Sequence, residues 1–221
     1  MPVNKEAYFQ IKSELDSKGI TLVAVSKTKP VEDILELYHL GHRDFGENYV
    51  QEMAEKAARL PKDIRWHFIG HLQTNKVKLI VPFVQLIHGV DSLKLLKEIN
   101  KEAAKTGRVM DCLLQVYIAE EETKFGLDEE ELEQLIRVHA DLNSEHVRIC
   151  GLMGMASFTD EMNKVRTEFR KLKEIFDRLK TNDSRLTTLS MGMSSDYKIA
   201  TEEGSTMVRI GSMLFGERPV K

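Results

Sequence analysis

Apolar residues in this chain recur now at the two-residue period of a strand, now at the 3.6-residue period of a helix, and the alternation repeats eight times. Such a pattern buries strands among helices and points to an α/β architecture with a parallel sheet, rather than to separate α and β regions. Strands are predicted over 21–27, 43–48, 65–70, 85–91, 109–118, 147–155, 186–192 and 206–216, each but the last followed by a helical pattern. The clearest helix follows the sixth strand, where Met162, Val165, Phe169, Leu172, Phe176 and Leu179 form one apolar stripe. Pro30, Ser92, Asp128 and Asp160 stand where helices begin, and Gly41, Gly107 and Gly204 where they stop. Residues 1–19 read as a further helix packed outside the repeating series.

The strand-to-strand spacing of roughly 20 to 40 residues is near one eighth of the roughly 250 residues of a (β/α)8 barrel. No Pro-, Gly- or Ser-rich linker interrupts the series. The expectation is a single TIM-type (β/α)8 barrel domain over residues 1–221 with an N-terminal helix. An open doubly wound sheet is the alternative, and the lack of a dinucleotide-binding glycine fingerprint after the first strand weighs against it.

With 42% hydrophobic and 30% charged residues among 221, the composition suits one well-filled globular core. Thirty-two Lys and Arg against 35 Asp and Glu give a net charge of -3, so no overall positive field recruits nucleic acid or an anionic membrane. Any anionic ligand has to be held locally. The longest apolar runs reach about half of the roughly 20 residues a membrane-spanning helix needs, and the N-terminus lacks a secretory apolar segment. The expected location is the cytoplasm, with a monomer as the default state. Cys112 and Cys150 lie in apolar strand segments and read as core thiols, and the pairs His67/His71 and His39/His42 lack the glutamate of a metalloprotease helix. The run Glu120, Glu121, Glu122 reads as a solvated loop, and Met153, Met155, Met191 and Met193 as core or pocket wall.

In a barrel, functional side chains gather at the C-terminal ends of the strands, and phosphate is held after strands seven and eight. Strand seven runs into Ser190-Met191-Gly192-Met193-Ser194-Ser195-Asp196 and then a helix, where small residues and free N–H groups suit an anion. Strand eight ends in Arg209-Ile210-Gly211-Ser212, where bare backbone can approach a ligand. Lys27 ends the first strand at the barrel mouth, either as a solvated charge or as a desolvated amine able to attack a carbonyl. Lys29, before Pro30, competes for that role. Asn48 ends strand two, and His71, beyond strand three, could stack on or hydrogen-bond a ring. His67 alternates into its strand as a core histidine, and Glu47 is either a base or a helix-capping carboxylate.

Together, VAVSKTKP around Lys27, FGENYVQE around Asn48, WHFIGHLQTNK around His71, GLMGM at strand six, LSMGMSSDY around Ser190 and VRIGSMLFG around Arg209 resemble the pyridoxal phosphate homeostasis protein family. The barrel of that family is similar to the N-terminal domain of bacterial alanine racemase, and the likeness runs over essentially the whole chain. It implies that Lys27 forms an internal aldimine with pyridoxal 5'-phosphate, and that Ser194, Gly211 and Ser212 hold the phosphate while Ser190 and Gly192 shape that loop. It further implies that Arg209 faces the pyridine nitrogen and that Asn48 lies near the ring. A guanidinium only donates, so Arg209 would leave the pyridine nitrogen unprotonated and weaken the cofactor as an electron sink. Racemases carry a second catalytic base on an additional β domain, and this sequence ends five residues after Gly216. The implied role is therefore non-catalytic: to buffer or deliver pyridoxal phosphate, with dependent apoenzymes as candidate recipients and indirect effects on amino-acid and keto-acid metabolism. Two other readings stay open: a pyridoxal phosphate-dependent amino-acid racemase completed by dimerisation, and a cofactor-free Schiff-base aldolase acting on a sugar phosphate.

Overall fold

The computed structural model describes residues 3–119, 126–141 and 145–217, so the run Glu120, Glu121, Glu122 lies outside the described residues. Helix α1 (Lys5–Ser17) precedes the first strand, and the order then runs β1 (Thr21–Val25), α2 (Val31–His39), β2 (Asp44–Glu47), α3 (Val50–Arg59) and β3 (Arg65–Phe68). A 3-10 turn (Thr74–Lys76) and the single turn α4 (Val77–Ile80) lead to β4 (Leu86–Val90), α5 (Leu93–Lys105) and β5 (Met110–Gln115). The last elements are α6 (Glu129–Asp141), β6 (Val147–Met153), α7 (Met162–Asn182), β7 (Thr188–Ser190), α8 (Tyr197–Glu202), β8 (Met207–Ile210) and α9 (Ser212–Phe215).

The eight strands close into a barrel in sequence order, each parallel to both neighbours. Closure is made by β1 on β8, with Thr21 opposite Met207 and Ala24 opposite Ile210. Strand alternation divides the apolar residues into two layers. Leu22 and Ala24 face outward into the main core under the helices, with Ile34 and Leu37 of α2 and Phe169 and Leu172 of α7. Val23 faces inward and joins Leu86, Leu113, Met153 and Met207 in a smaller cluster inside the barrel. No helix among the described residues is long and apolar enough to cross a membrane.

Local signals hold at most element ends. Ser92 Oγ accepts from Leu95 N–H at 3.3 Å, and Asp128 and Glu131 cap each other's backbone N–H at 2.8 and 3.1 Å. Two expectations need correction. Helix α7 begins at Met162 with Glu161, not Asp160, in the capping position. The eighth strand stops at Ile210 rather than running to 216, because Gly211 leaves the extended region and Ser212–Phe215 coil into α9. That turn buries Leu214 and Phe215, and Leu214 O accepts from Asn4 N–H at 2.8 Å, which ties the chain start to the barrel. Cys112 is buried, whereas Cys150 is half-buried on the barrel's inner side.

Beneath α1, His42 is buried between Tyr8 and Phe45, with Nε2 at 2.8 Å from Asp44 O. Burial lowers its pKa to about 4, well under the ordinary histidine value. A histidine depressed in the folded state stabilises above its unfolded pKa and loses that contribution as pH falls through the folded value. The His42 share of stability is accordingly expected to be intact above about pH 6.5 and to fall by about 2 kcal/mol by about pH 5. Urea unfolding at the two pH values checks this, and a His42→Gln slope equal to wild type would contradict it.

Candidate active site at the C-terminal mouth

The C-terminal ends of the strands surround a cavity of about 610 Å³ whose wall includes Lys27, Asn48, Ser194, Arg209, Gly211 and Ser212. Six of the nine predicted site residues thus meet in one space, although they span most of the chain. Met155 and Met193 supply apolar wall, and Phe158, 88% exposed, stands at the rim. The charged side chains of the lining are Lys27, Lys29, Arg209 and Glu217, a net positive balance that favours an anion.

At one side, the turn Ser194–Ser195 precedes α8 and Gly211 precedes α9, so both present backbone N–H groups that no helical bond claims. Ser194 Oγ accepts from Gly211 N–H at 3.3 Å and holds the two loops together. A Cβ on Gly211 would lie 3.2 Å from Val25 O, so the backbone of Val25 would have to give by a few tenths of an ångström to admit a side chain. Gly192 adopts φ +96°, and a Cβ there would meet Ala200 Cβ at 2.5 Å, so the residue serves the turn beneath α8 rather than the cavity wall. Asp196 Oδ1 accepts from Met193 N–H and fastens the same turn.

Arg209 is buried beneath the cavity, donating to Ser190 Oγ at 2.6 Å and to Gly154 O at 3.1 Å. Burial lowers its guanidinium pKa to about 10, with Asp196 opposing, so the group keeps its charge at neutral pH. Asn48 Oδ1 is buried without a hydrogen-bond partner, an orphaned acceptor that a ligand donor would satisfy.

Lys27 lies two residues beyond the end of β1, in a turn held from both sides. Next to it, Thr28 has φ +63°, a left-handed conformation that costs a β-branched residue roughly 1–2 kcal/mol. Its N–H donates to Glu52 Oε1 at 2.6 Å. On the other flank, Ser26 Oγ donates to Glu47 Oε1 at 2.6 Å, and Lys56 Nζ reaches Ser26 O, Glu47 Oε1 and Glu52 Oε1 at 2.7, 2.8 and 2.7 Å. Burial raises the Glu47 carboxyl pKa, against the pull of Lys56. Glu47 therefore neither caps α3 nor lines the cavity; it anchors the loop that carries Lys27. Lys29 spends its amine on the carbonyls of Phe215, Gly216 and Glu217 at 2.7, 3.2 and 3.4 Å, which makes it a clamp between loops. Sequence reading missed Lys56 and Glu52, although their i,i+4 spacing after strand two marks an ion pair on one helix face.

Three predicted site residues lie elsewhere. His71 is exposed, with Nδ1 3.1 Å from Asp91 Oδ2, and is absent from the cavity wall. Ser190 is fully buried below Arg209, and Gly192 lies under α8. At the opposite end of the barrel, a second cavity of about 520 Å³ opens among Asp44, Arg65, His67, Asp111, Arg148 and Arg185. His67 is the core histidine expected, hydrogen-bonded to His88 and Asp44.

The buried Lys56–Glu47 pair generates a test. Lys56→Met leaves a buried carboxylate uncompensated and is expected to destabilise the fold by about 3–5 kcal/mol, with Lys56→Met/Glu47→Leu recovering most of it. A single-variant loss below about 1 kcal/mol in urea unfolding would show that the pair does not hold this loop.

The family model described as alanine racemase, N-terminal domain, matches residues 6–219. A relative from Aquifex aeolicus named pyridoxal phosphate homeostasis protein is 45% identical over 199 residues, covering 89% of this chain and 86% of its own. The structure of PipY from Synechococcus elongatus with pyridoxal phosphate bound superposes with a TM-score of 0.87 at 36% identity, covering 96% of this chain and 99% of PipY. Alanine racemase from Streptomyces coelicolor shares the fold at a TM-score of 0.74 and 19% identity, covering 91% of this chain and 55% of the racemase. A closed eight-stranded parallel barrel, matched nearly end to end by such relatives, makes this chain a member of the pyridoxal phosphate homeostasis protein family.

Proposed function

We propose that this protein binds pyridoxal 5'-phosphate reversibly at the C-terminal mouth and acts in the cytoplasm to buffer or deliver the cofactor rather than to turn over amino acids. The observation that carries this reading is the convergence of Lys27, Arg209 and the two anion-ready loops on one cavity with an orphaned acceptor, Asn48 Oδ1. The donor set fits the group: a cationic wall for phosphate, an amine for the aldehyde and a buried guanidinium for the ring nitrogen. When bound, pyridoxal phosphate supplies an aldehyde carbon that an amine attacks with loss of water, a covalent attachment that water reverses.

In this reading Lys27 Nζ makes the covalent bond, and the strained, doubly anchored turn keeps it from wandering. Ser194, Gly211 and Ser212 bind the phosphate through hydroxyl and backbone N–H groups. Arg209 donates toward the ring nitrogen without giving up a proton, which holds the ring rather than making it an electron sink. Asn48 accepts near the ring. Ser190 and Gly192 act beneath the site, the first by fixing Arg209 and the second by shaping the turn, and His71 has no part in it. The case for holding over catalysis rests on the lining: besides Lys27 and Arg209, its charged groups among the described residues are the clamped Lys29 and the rim residue Glu217. Proton abstraction from an amino acid needs a positioned base opposite the lysine.

The test is the visible spectrum of the purified protein with added cofactor. A yellow band that borohydride traps on the Lys27 peptide, absent from Lys27→Ala, is expected, as is roughly tenfold weaker binding for Ser194→Ala. Pyridoxal lacking the phosphate is expected to bind at least about tenfold more weakly. A colourless wild type, or turnover of an L- to a D-amino acid that disappears in Lys27→Ala, would overturn the reading.

A further inference from the structure

The segment that leaves β6 runs from the floor of the upper cavity to its rim. Gly154 O, one residue past the strand, accepts from Arg209 Nη2 at 3.1 Å, so the segment starts on the buried guanidinium. Met155 then enters the apolar wall, which it shares with Val25, Ile69, Met193 and Met213, and Phe158 stands at the rim. In the closed order of eight strands β6 lies opposite β2, so Phe158 and Asn48 line opposite sides of the mouth.

The backbone on either side of Phe158 is tied down. Ser157 N–H and Ser157 Oγ both donate to the Glu168 carboxylate at 2.6 Å, and both residues are buried. Thr159 Oγ1 accepts from Glu161 N–H at 3.2 Å where the chain turns into α7. Between these ties the Phe158 side chain is 88% exposed, whereas the next most exposed large apolar residues among those described, Phe9 and Tyr49, reach 55%. A lone apolar side chain on a surface needs no explanation by itself. Phe158 differs in belonging to a cavity wall and in being presented there by an anchored backbone.

A ring held this way can turn onto the mouth through its own two side-chain torsions, with no rearrangement of the loop. Such a move costs little conformational freedom and removes apolar surface from water once something occupies the cavity. A flat aromatic occupant gives the phenyl ring a face or an edge to pack on, whereas a bare oxoanion offers neither. Contacts made only after entry slow departure more than they alter arrival. An apolar ring over the mouth also limits the water that reaches Lys27, and water is what undoes a covalent hold by that amine.

We propose that Phe158 is a positioning residue that covers the occupied upper cavity and sets how long pyridoxal phosphate stays. The inference rests on the reading of that cavity as a pyridoxal phosphate site and adds to it the step that governs release. Lys27, Arg209 and the two phosphate-binding loops hold the cofactor from within, and Phe158 covers it from the solvent side. An exposed side chain changes rotamer within nanoseconds, far faster than a domain or lid moves. The cover therefore yields as readily as it forms, which keeps holding compatible with delivery.

The test uses the full-length protein and separates entry from release by stopped-flow absorbance, entry from the rise of the bound band on mixing with cofactor and release from its loss on rapid dilution. Phe158→Ala is expected to release the cofactor about threefold to tenfold faster, with entry changed by less than about twofold. Phe158→Tyr is expected to keep the wild-type release rate, and inorganic phosphate, which has no ring, to compete equally well in all three proteins. Since the side chain is exposed, the urea midpoint of Phe158→Ala is expected to match wild type. A second measurement leaves the residue in place: with para-fluorophenylalanine incorporated, the fluorine resonance of Phe158 is expected to shift when the cofactor saturates the protein and to stay when inorganic phosphate does. Release at the wild-type rate from Phe158→Ala, a larger effect on entry than on release, or a fluorine resonance that ignores the cofactor would each overturn the cover while the cofactor site itself stands. Should the variant not fold, the fluorine signal decides alone. Absence of any cofactor uptake by the wild type removes the functional reading, and the cover with it.

Discussion

Pairing of β1 with β8 is the contact on which the remainder depends, because a parallel sheet left open would expose two unmatched edges and separate the ends of the chain. Once it forms, all eight strands point the same way and their C-terminal ends share one mouth. Lys27 after β1 and Gly211 after β8 then become neighbours across a single hydrogen-bonded ladder. The tight approach of Gly211 to Val25 shows how little room that seam leaves.

The interior created by closure is only half apolar. Val23, Leu86, Leu113, Met153 and Met207 fill one part, and Arg209, Ser190, His88 and His67 run through the other. Buried polar groups of this kind are costly unless each finds a partner, and here they satisfy one another in sequence from cation to anion. A second buried network, Ser26–Glu47–Lys56–Glu52, grips the Lys27 turn at the upper rim, although Glu47 Oε2 is left buried without a hydrogen-bond partner. The first network joins strands distant in the chain, from Arg209 on β8 to His67 on β3, whereas the second lies within the consecutive β1–α2–β2–α3 stretch.

Much of the candidate site could be read before folding was considered. Lys27 was visible because it ends an apolar run, Ser194 because small residues lead into a helix after strand seven, and Gly211 because bare backbone closes strand eight, the two positions where barrels take phosphate, while the role of Arg209 came through the family resemblance. What misled the reading was position along a strand without depth. Ser190 and Gly192, read as shaping the loop, lie beneath the cavity, whereas His71, three residues past β3, turns out to Asp91 and is absent from the cavity wall. Glu47 was legible as a carboxylate at a strand end, yet its partner Lys56 lies on the next helix, and only packing of α3 on β2 brings them together.

The sequence by itself determined the α/β class, the number of repeating units, most helix ends and the chemical character of the mouth, since periodicity, capping and residue type act within a few neighbours along the chain. Tertiary structure decided which of those residues face one cavity, which lysine is clamped and which stays at the wall, and how His67 on β3 and His88 on β4 came to touch. The physical reason is that hydrogen bonds such as His88 to Ser190 join residues 102 positions apart, and no local pattern encodes a contact that exists only when eight strands close on themselves.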